Sequence, residues 1–190
     1  MLIDGAWQTV YGWQGLWRYD FPGLGRRLMG PCDVPDIELF PARYPSVRTV
    51  RFSAGLEVGL FQRALSVLAG AVRVGAISRP ERLAGLLLAM KRRLRFLGTD
   101  SGGLFVKLGG VGPDGLPMAR AIHLVARRNH GPYVPAIASV VLARKLVRGE
   151  IEQRGAMPCM GLLTLNEFKA EVADLAIEMT AADAAGNPIA

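Results

Sequence analysis

Gly102-Gly103-Leu104-Phe105-Val106-Lys107-Leu108-Gly109-Gly110-Val111-Gly112-Pro113-Asp114-Gly115-Leu116-Pro117-Met118-Ala119-Arg120-Ala121-Ile122-His123-Leu124-Val125-Ala126-Arg127 is the stretch on which the reading of this chain turns. Two glycines, Gly112 and Gly115, flank Pro113 and Asp114, and an Asp-Gly pair between two apolar runs is a short-range hairpin signal. The expectation is a strand over Gly102–Val111, a turn, and a returning strand over Pro117–Arg127. Gly110, Gly112 and Gly115 also satisfy the spacing G-x-G-x-x-G of dinucleotide loops. That loop needs a helix directly after it, so that a pyrophosphate meets the helix N-terminus. Here Met118, Arg120, Ile122 and Leu124 follow in a strand pattern, so the glycines read as a turn.

Helices are expected on both sides of the hairpin. One runs from about Val58 to Val74, and a second is opened by Ser78 with Glu81 three residues later, the spacing of a capping box. In the second, Leu83, Leu87, Met90, Leu94 and Leu97 recur at intervals of three and four and form one apolar stripe. Lys91, Arg92, Arg93 and Arg95 crowd its last turns, where positive charge suits the helix dipole. After the hairpin, Gly131 and Pro132 open a helix that Gly149 ends. Thr164 and Glu167 make another capping box, with Leu163 and Phe168 as the hydrophobic staple, before a helix to about Asp174. Leu175–Met179 reads as a short final strand, and 181–190 as a frayed tail.

Upstream, Val47–Phe52 alternates β-branched and basic residues and reads as a strand. The first forty-five residues hold Trp7, Tyr11, Trp13, Trp17, Tyr19 and Phe21 among Pro22, Pro31, Pro35, Pro41 and Pro45, a composition that resists long regular structure. The resulting class is α+β: a sheet with a hairpin at 102–127 packed against about four helices, lacking a Rossmann unit, as a single domain over 1–180.

Composition narrows the function classes. Half of the 190 residues are apolar, which is incompatible with a disordered chain. The net charge of +7 invites nucleic acid, but the basic excess lies between Arg63 and Arg95. From Glu150 onward Glu152, Glu167, Glu171, Asp174, Glu178 and Asp183 outnumber Arg154 and Lys169, so the surface is partly self-compensating and no nucleic-acid partner is expected. The most apolar stretch, Val58–Ile77, carries Arg63 and Arg73, each costing roughly 2.5–3.5 kcal/mol at a bilayer centre, so no membrane span is expected. Cys32 and Cys159 are far apart, and with no signal-like start the expectation is a cytoplasmic protein with free thiols.

Few residues suggest chemistry. His123 on the second strand could act as a general acid or base if it faced a cleft, and His130 sits beside Gly131 in a turn; neither has a second metal ligand at the usual spacing. Cys32 lies next to Asp33, which disfavours a thiolate. The densest polar group is Arg18, Tyr19 and Asp20, then Gly23, Gly25, Arg26 and Arg27, then Asp33. Guanidinium groups hold carboxylates in a bidentate fork, so Arg18, Tyr19, Asp20, Arg26, Arg27 and Asp33, with His123, are the candidate substrate-binding residues for a small anionic, amino-acid-like molecule. An ordered loop tied by Arg–Asp pairs is the competing reading.

The runs Trp17-Arg18-Tyr19-Asp20-Phe21-Pro22-Gly23-Leu24-Gly25-Arg26-Arg27, Pro31-Cys32-Asp33-Val34-Pro35-Asp36 and Leu39-Phe40-Pro41-Ala42-Arg43-Tyr44 resemble the C-terminal portion of bacterial saccharopine-dehydrogenase-like proteins. The likeness extends to Gly131-Pro132-Tyr133-Val134-Pro135-Ala136 and Pro158-Cys159-Met160-Gly161-Leu162-Leu163-Thr164-Leu165. The resemblance implies an oxidoreductase whose separate N-terminal Rossmann domain binds NAD or NADP, while this region binds substrate and forms a homodimer. No cofactor or metal site is expected in these residues, and the chain alone is expected to be inactive. The alternative is a stand-alone, non-enzymatic module that associates through its apolar helices.

Overall fold

The computed structural model describes residues 1–183 and 188–189. The described residues form an α+β fold of five helices and three small antiparallel sheets, with no Rossmann-like arrangement. The chain groups into two compact units, residues 1–21 with 25–99 and residues 22–24 with 100–190.

In the first unit, β1 (Leu2–Ile3) pairs with β2 (Ala6–Trp7), and β3 (Trp17–Phe21) pairs with β4 (Gly25–Pro31). Alternation along β3 buries Tyr19 and Phe21 and leaves Arg18 and Asp20 exposed. The rings of Trp17, Tyr19 and Phe21 follow one another edge-to-face, with centroids 5.8 and 5.7 Å apart. The aromatic and proline-rich start thus contains a real hairpin, and α1 (Asp36–Arg43) follows it despite Pro41. Gly23, at φ 73°, and Gly25, at φ 72°, provide the left-handed turns that join β3 to β4.

The strand expected over Val47–Phe52 does not form. Val50 makes an isolated bridge to Leu2, Arg48 donates to the Asp4 carbonyl at 3.1 Å, and regular pairing starts only at β5 (Ser53–Ala54), beside β4. Basic residues on both faces of that segment prevent either face from being wholly apolar. The first long helix, α2 (Gly59–Arg73), lies where expected, between Val58 and Val74. The second helix starts later than its sequence signal: Pro80 begins a 3-10 turn over Pro80–Leu83, preceded by Arg79, and α3 (Ala84–Arg93) continues from it. The Ser78–Glu81 capping box is absent because Pro80, whose fixed φ suits the first helical position, moves the start past Ser78. No residue of α3 is buried, and Leu86, Leu87, Leu88 and Met90 are all exposed.

In the second unit the hairpin forms as expected. β6 (Gly102–Val111) and β7 (Pro117–Ala126) pair without interruption from Gly102↔Ala126 to Val111↔Pro117. The turn is closed by Gly112 N–H to the Leu116 carbonyl at 2.8 Å and Gly115 N–H to the Gly112 carbonyl at 3.0 Å. Asp114 Oδ1 accepts from the Leu116 N–H at 3.1 Å. The helix α4 (Tyr133–Val147) and the capped helix α5 (Leu165–Glu171) follow. Thr164 and Glu167 satisfy each other's backbone N–H groups, so this capping box is real. Ile137, Val141 and Val172 form a core with Leu163, Phe168, Leu175 and Ile177 packed on it, which is the staple seen from the inside.

The tail is more ordered than expected. β8 (Ile177–Asp183) pairs along β7, and β9 (Pro188–Ile189) pairs with β8, giving a sheet in the order β6-β7-β8-β9. Residues 181–183 therefore belong to a strand; 184–187 and 190 of the expected frayed tail lie outside the described residues. Hydrogen bonding along β7 explains the longer strand, since β7 offers partners from Arg120 to Ala126.

Candidate functional site

The first unit carries a shallow depression of about 300 Å³ lined by Arg18, Arg26, Arg27, Leu28, Glu57, Gly59 and Arg63. Three of these arginines were legible in the sequence and one was not. Arg18 comes from β3, Arg26 and Arg27 from β4, and Arg63 from the first turns of α2. Cross-strand register sets Asp20 opposite Arg26, and Asp20 Oδ1 accepts from Arg26 Nε at 3.1 Å. Both side chains are exposed, so the pair contributes little to stability. Arg27 stands 3.8 Å from Glu57, whose carboxylate is also held by Thr99 through its N–H at 2.8 Å and its hydroxyl at 2.6 Å.

Arg18 and Arg63 have no ion-pair partner among the described residues. Arg63 lies close to the start of its own helix. Its Nη1 lies 3.8 Å from where a Cβ on Gly59 would stand, so a guanidinium rests against the N-terminal, positive end of α2. That helix start has Val58 before it, no side-chain cap and no acidic residue in its first turn. Four guanidinium groups, one tethered carboxylate and a helix start without a side-chain cap give the depression an excess of positive charge.

The remaining candidates are elsewhere. Tyr19 is buried on the opposite face of β3 from Arg18 and supports the hairpin from inside, with its hydroxyl pKa raised by burial. Asp33 is exposed in the segment between β4 and α1 and does not line the depression. His123 belongs to the second unit, on β7, where it is buried, opposite Phe105 in register, with ring centroids 6.3 Å apart. Burial, and then the positive charge of Lys107, pushes its pKa below the ordinary 6.5, which favours neutral imidazole. His130, read as a turn residue, accepts the Ala176 N–H at Nδ1, 2.7 Å away, a structural role that fixes the ring. Glu57, Gly59 and Arg63 were missed by sequence reasoning. The usable signal was the Gly59–Arg63 spacing, which puts both on one face of a helix start.

Gly110 lies within β6, one residue before its end at Val111, Gly112 and Gly115 lie in the turn, and the chain continues as β7, so no helix N-terminus follows the glycines. The residues present do not fit a nicotinamide dinucleotide at that place. Among the described residues no three His, Cys, Asp or Glu side chains gather as metal ligands would, and no helix is long and apolar enough to cross a membrane. No family model, no curated protein and no solved structure matches the chain.

Proposed function

We propose that this chain is the substrate-side and dimer-forming part of a larger nicotinamide-dependent oxidoreductase of the saccharopine-dehydrogenase-like type, and that the arginine-lined depression anchors the anionic end of its substrate. The observation that carries the reading is the excess of guanidinium over carboxylate there, with Arg18 and Arg63 lacking ion-pair partners among the described residues. A substrate carboxylate would accept from these groups and would also be favoured by the positive end of α2. Arg26 is partly engaged by Asp20 and Arg27 by Glu57, so both are held in place as the rim of the site. NAD or NADP would be supplied by a Rossmann domain outside these residues, and no step of hydride transfer is assigned to this chain.

Calorimetric titration of the chain with a dicarboxylate such as glutarate, at low ionic strength, tests the anchor. Saturable binding is expected, and the Arg18→Gln/Arg63→Gln double variant should weaken it at least tenfold, about 1.4 kcal/mol. Both side chains are exposed, so the variant should fold. Unsaturable titration, or a double variant that binds as the parent does, overturns the anchor. Saturable binding of NADH by this chain would overturn the division of labour with a separate cofactor domain.

A second reading, a non-enzymatic module that associates through its helices, is favoured by one specific observation. Leu86, Leu87 and Leu88 on α3 are 60%, 45% and 48% exposed, and no residue of that helix is buried. Under that reading the double arginine variant would be without consequence for any activity of the chain.

A further inference from the structure

We infer that two copies of this chain join through the outer edge of β6, in antiparallel register about a two-fold axis at Val106, making one continuous eight-stranded sheet. The inference names a surface for the dimer in the preceding reading; it is independent of the anion site and of the oxidoreductase assignment. β6 is the end strand of its sheet, ten residues long and paired on one side by β7 without a bulge. It contains no proline and a single charged residue, Lys107. Edge strands that are not meant to pair are usually shortened, bulged, or guarded by charge and proline, and β6 has almost none of these protections.

The sequence of the strand singles out a second copy as the occupant. Gly102-Gly103-Leu104-Phe105-Val106-Lys107-Leu108-Gly109-Gly110 is nearly palindromic about Val106. An isologous two-fold contact sets each residue opposite its mirror position. With the axis at Val106, Leu104 meets Leu108, Gly103 meets Gly109, Gly102 meets Gly110, and Val106 meets itself. Phe105 then meets Lys107 of the second copy, repeating across the interface the cation–π contact that Lys107 makes with Phe105 at 6.0 Å within one chain. A shift that moves the axis to Lys107 would oppose two like charges, which is destabilising.

Packing agrees with the register. Leu104, Val106 and Leu108 share one face of the strand and are 46%, 42% and 59% exposed. Their cross-strand neighbours on that face are Leu124, Ile122 and Arg120, and Leu124, the first of these, is buried. The same face continues through Met179 and Ile177 on β8, and Ile177 belongs to the apolar cluster of α4 and α5. An apolar layer that is closed at one side of the sheet is thus open at β6. A second β6 would set its own leucine and valine side by side with these residues, extending the layer, and would supply backbone partners along the edge.

Sedimentation equilibrium of the full chain over a wide concentration range, paired with cysteine crosslinking, tests this. The parent chain should dimerise, and Val106→Lys, which opposes two ammonium groups at the axis, should weaken the dimer at least tenfold. In a Cys32→Ser/Cys159→Ser background, Val106→Cys should form a disulfide-linked dimer on mild oxidation. Leu104→Cys should not crosslink alone but should crosslink when mixed with Leu108→Cys, since opposed Cβ atoms about 4.5–5.5 Å apart are within disulfide reach after small adjustment. Circular dichroism reports whether each variant folds; if Val106→Lys does not, the crosslinking pattern alone decides. A parent chain that stays monomeric overturns the surface together with the dimer reading. A dimer that Val106→Cys fails to link overturns the surface alone, and glutarate binding would be unaffected in either case.

Discussion

The hairpins β3–β4 and β6–β7 have the same topology and opposite chemistry. The first is short, turns through two glycines of positive φ, buries an aromatic face, and presents arginines on its exposed side. The second is twice as long on its leading strand, carries one charge on that strand, and leaves leucine and valine at its edge. The backbone pattern of an antiparallel pair is common to both, so side-chain alternation decides what each can meet. Guanidinium groups suit a small anion, whereas an apolar, palindromic edge suits another strand.

The two hairpins also differ in what holds them, and substitution can expose the difference. The largest effect is expected at Gly55, next to β4. A Cβ there would stand 2.5 Å from the Leu28 carbonyl oxygen and 2.7 Å from Met29 Sδ, and a backbone oxygen cannot swing away as a side chain can. Gly55→Ala should cost about 3 kcal/mol in denaturant unfolding. An unchanged midpoint would mean that β4 and β5 are not packed as described.

A smaller loss is expected in the second hairpin. Gly115 has φ 78° and open space around its α-carbon, so Gly115→Ala meets only the backbone cost of a left-handed alanine, about 1 kcal/mol. Should Gly115→Ala prove as damaging as Gly55→Ala, the turn and not the strand pairing would dominate the stability of β6–β7.

The smallest effect concerns His123 on β7. Its folded pKa is depressed by burial and by Lys107, so below pH 6.5 the unfolded chain binds more protons than the folded one. The contribution of neutral His123 is complete above pH 6.5 and is lost as pH falls through the lower folded value. Urea midpoints measured from pH 7.5 down to 5 should fall more steeply for the parent than for His123→Gln. Parallel curves would show that the imidazole is solvated.

Local signals carried some elements to the right place. Asp114-Gly115 turned the chain, and Thr164 with Glu167 capped α5, where Lys145 at 2.9 Å helps to hold the Glu167 carboxyl down to about pKa 2. Other signals were real patterns overruled by a neighbour. Pro80 displaced the Ser78–Glu81 cap, and the alternation of Val47–Phe52 gave way to a single bridge with Leu2. The β3–β4 hairpin was hidden because its turn, Pro22-Gly23-Leu24, sits in a segment whose prolines argue against regular structure.

Turns, caps and helix spans depend on residues a few positions apart, and for that reason the amino-acid order by itself determined the α+β class, the 102–127 hairpin, α2, α4 and the cap of α5. The palindrome of β6 was also present in that order, but only the sheet order revealed that β6 stands at an edge where a palindrome has consequence. Tertiary structure alone brought Arg63 of α2 to Arg18 and Arg27 of the hairpin and separated Asp33 from them. The reason is that such meetings are set by which strands and helices pack, and packing joins residues whose separation along the chain carries no periodic trace.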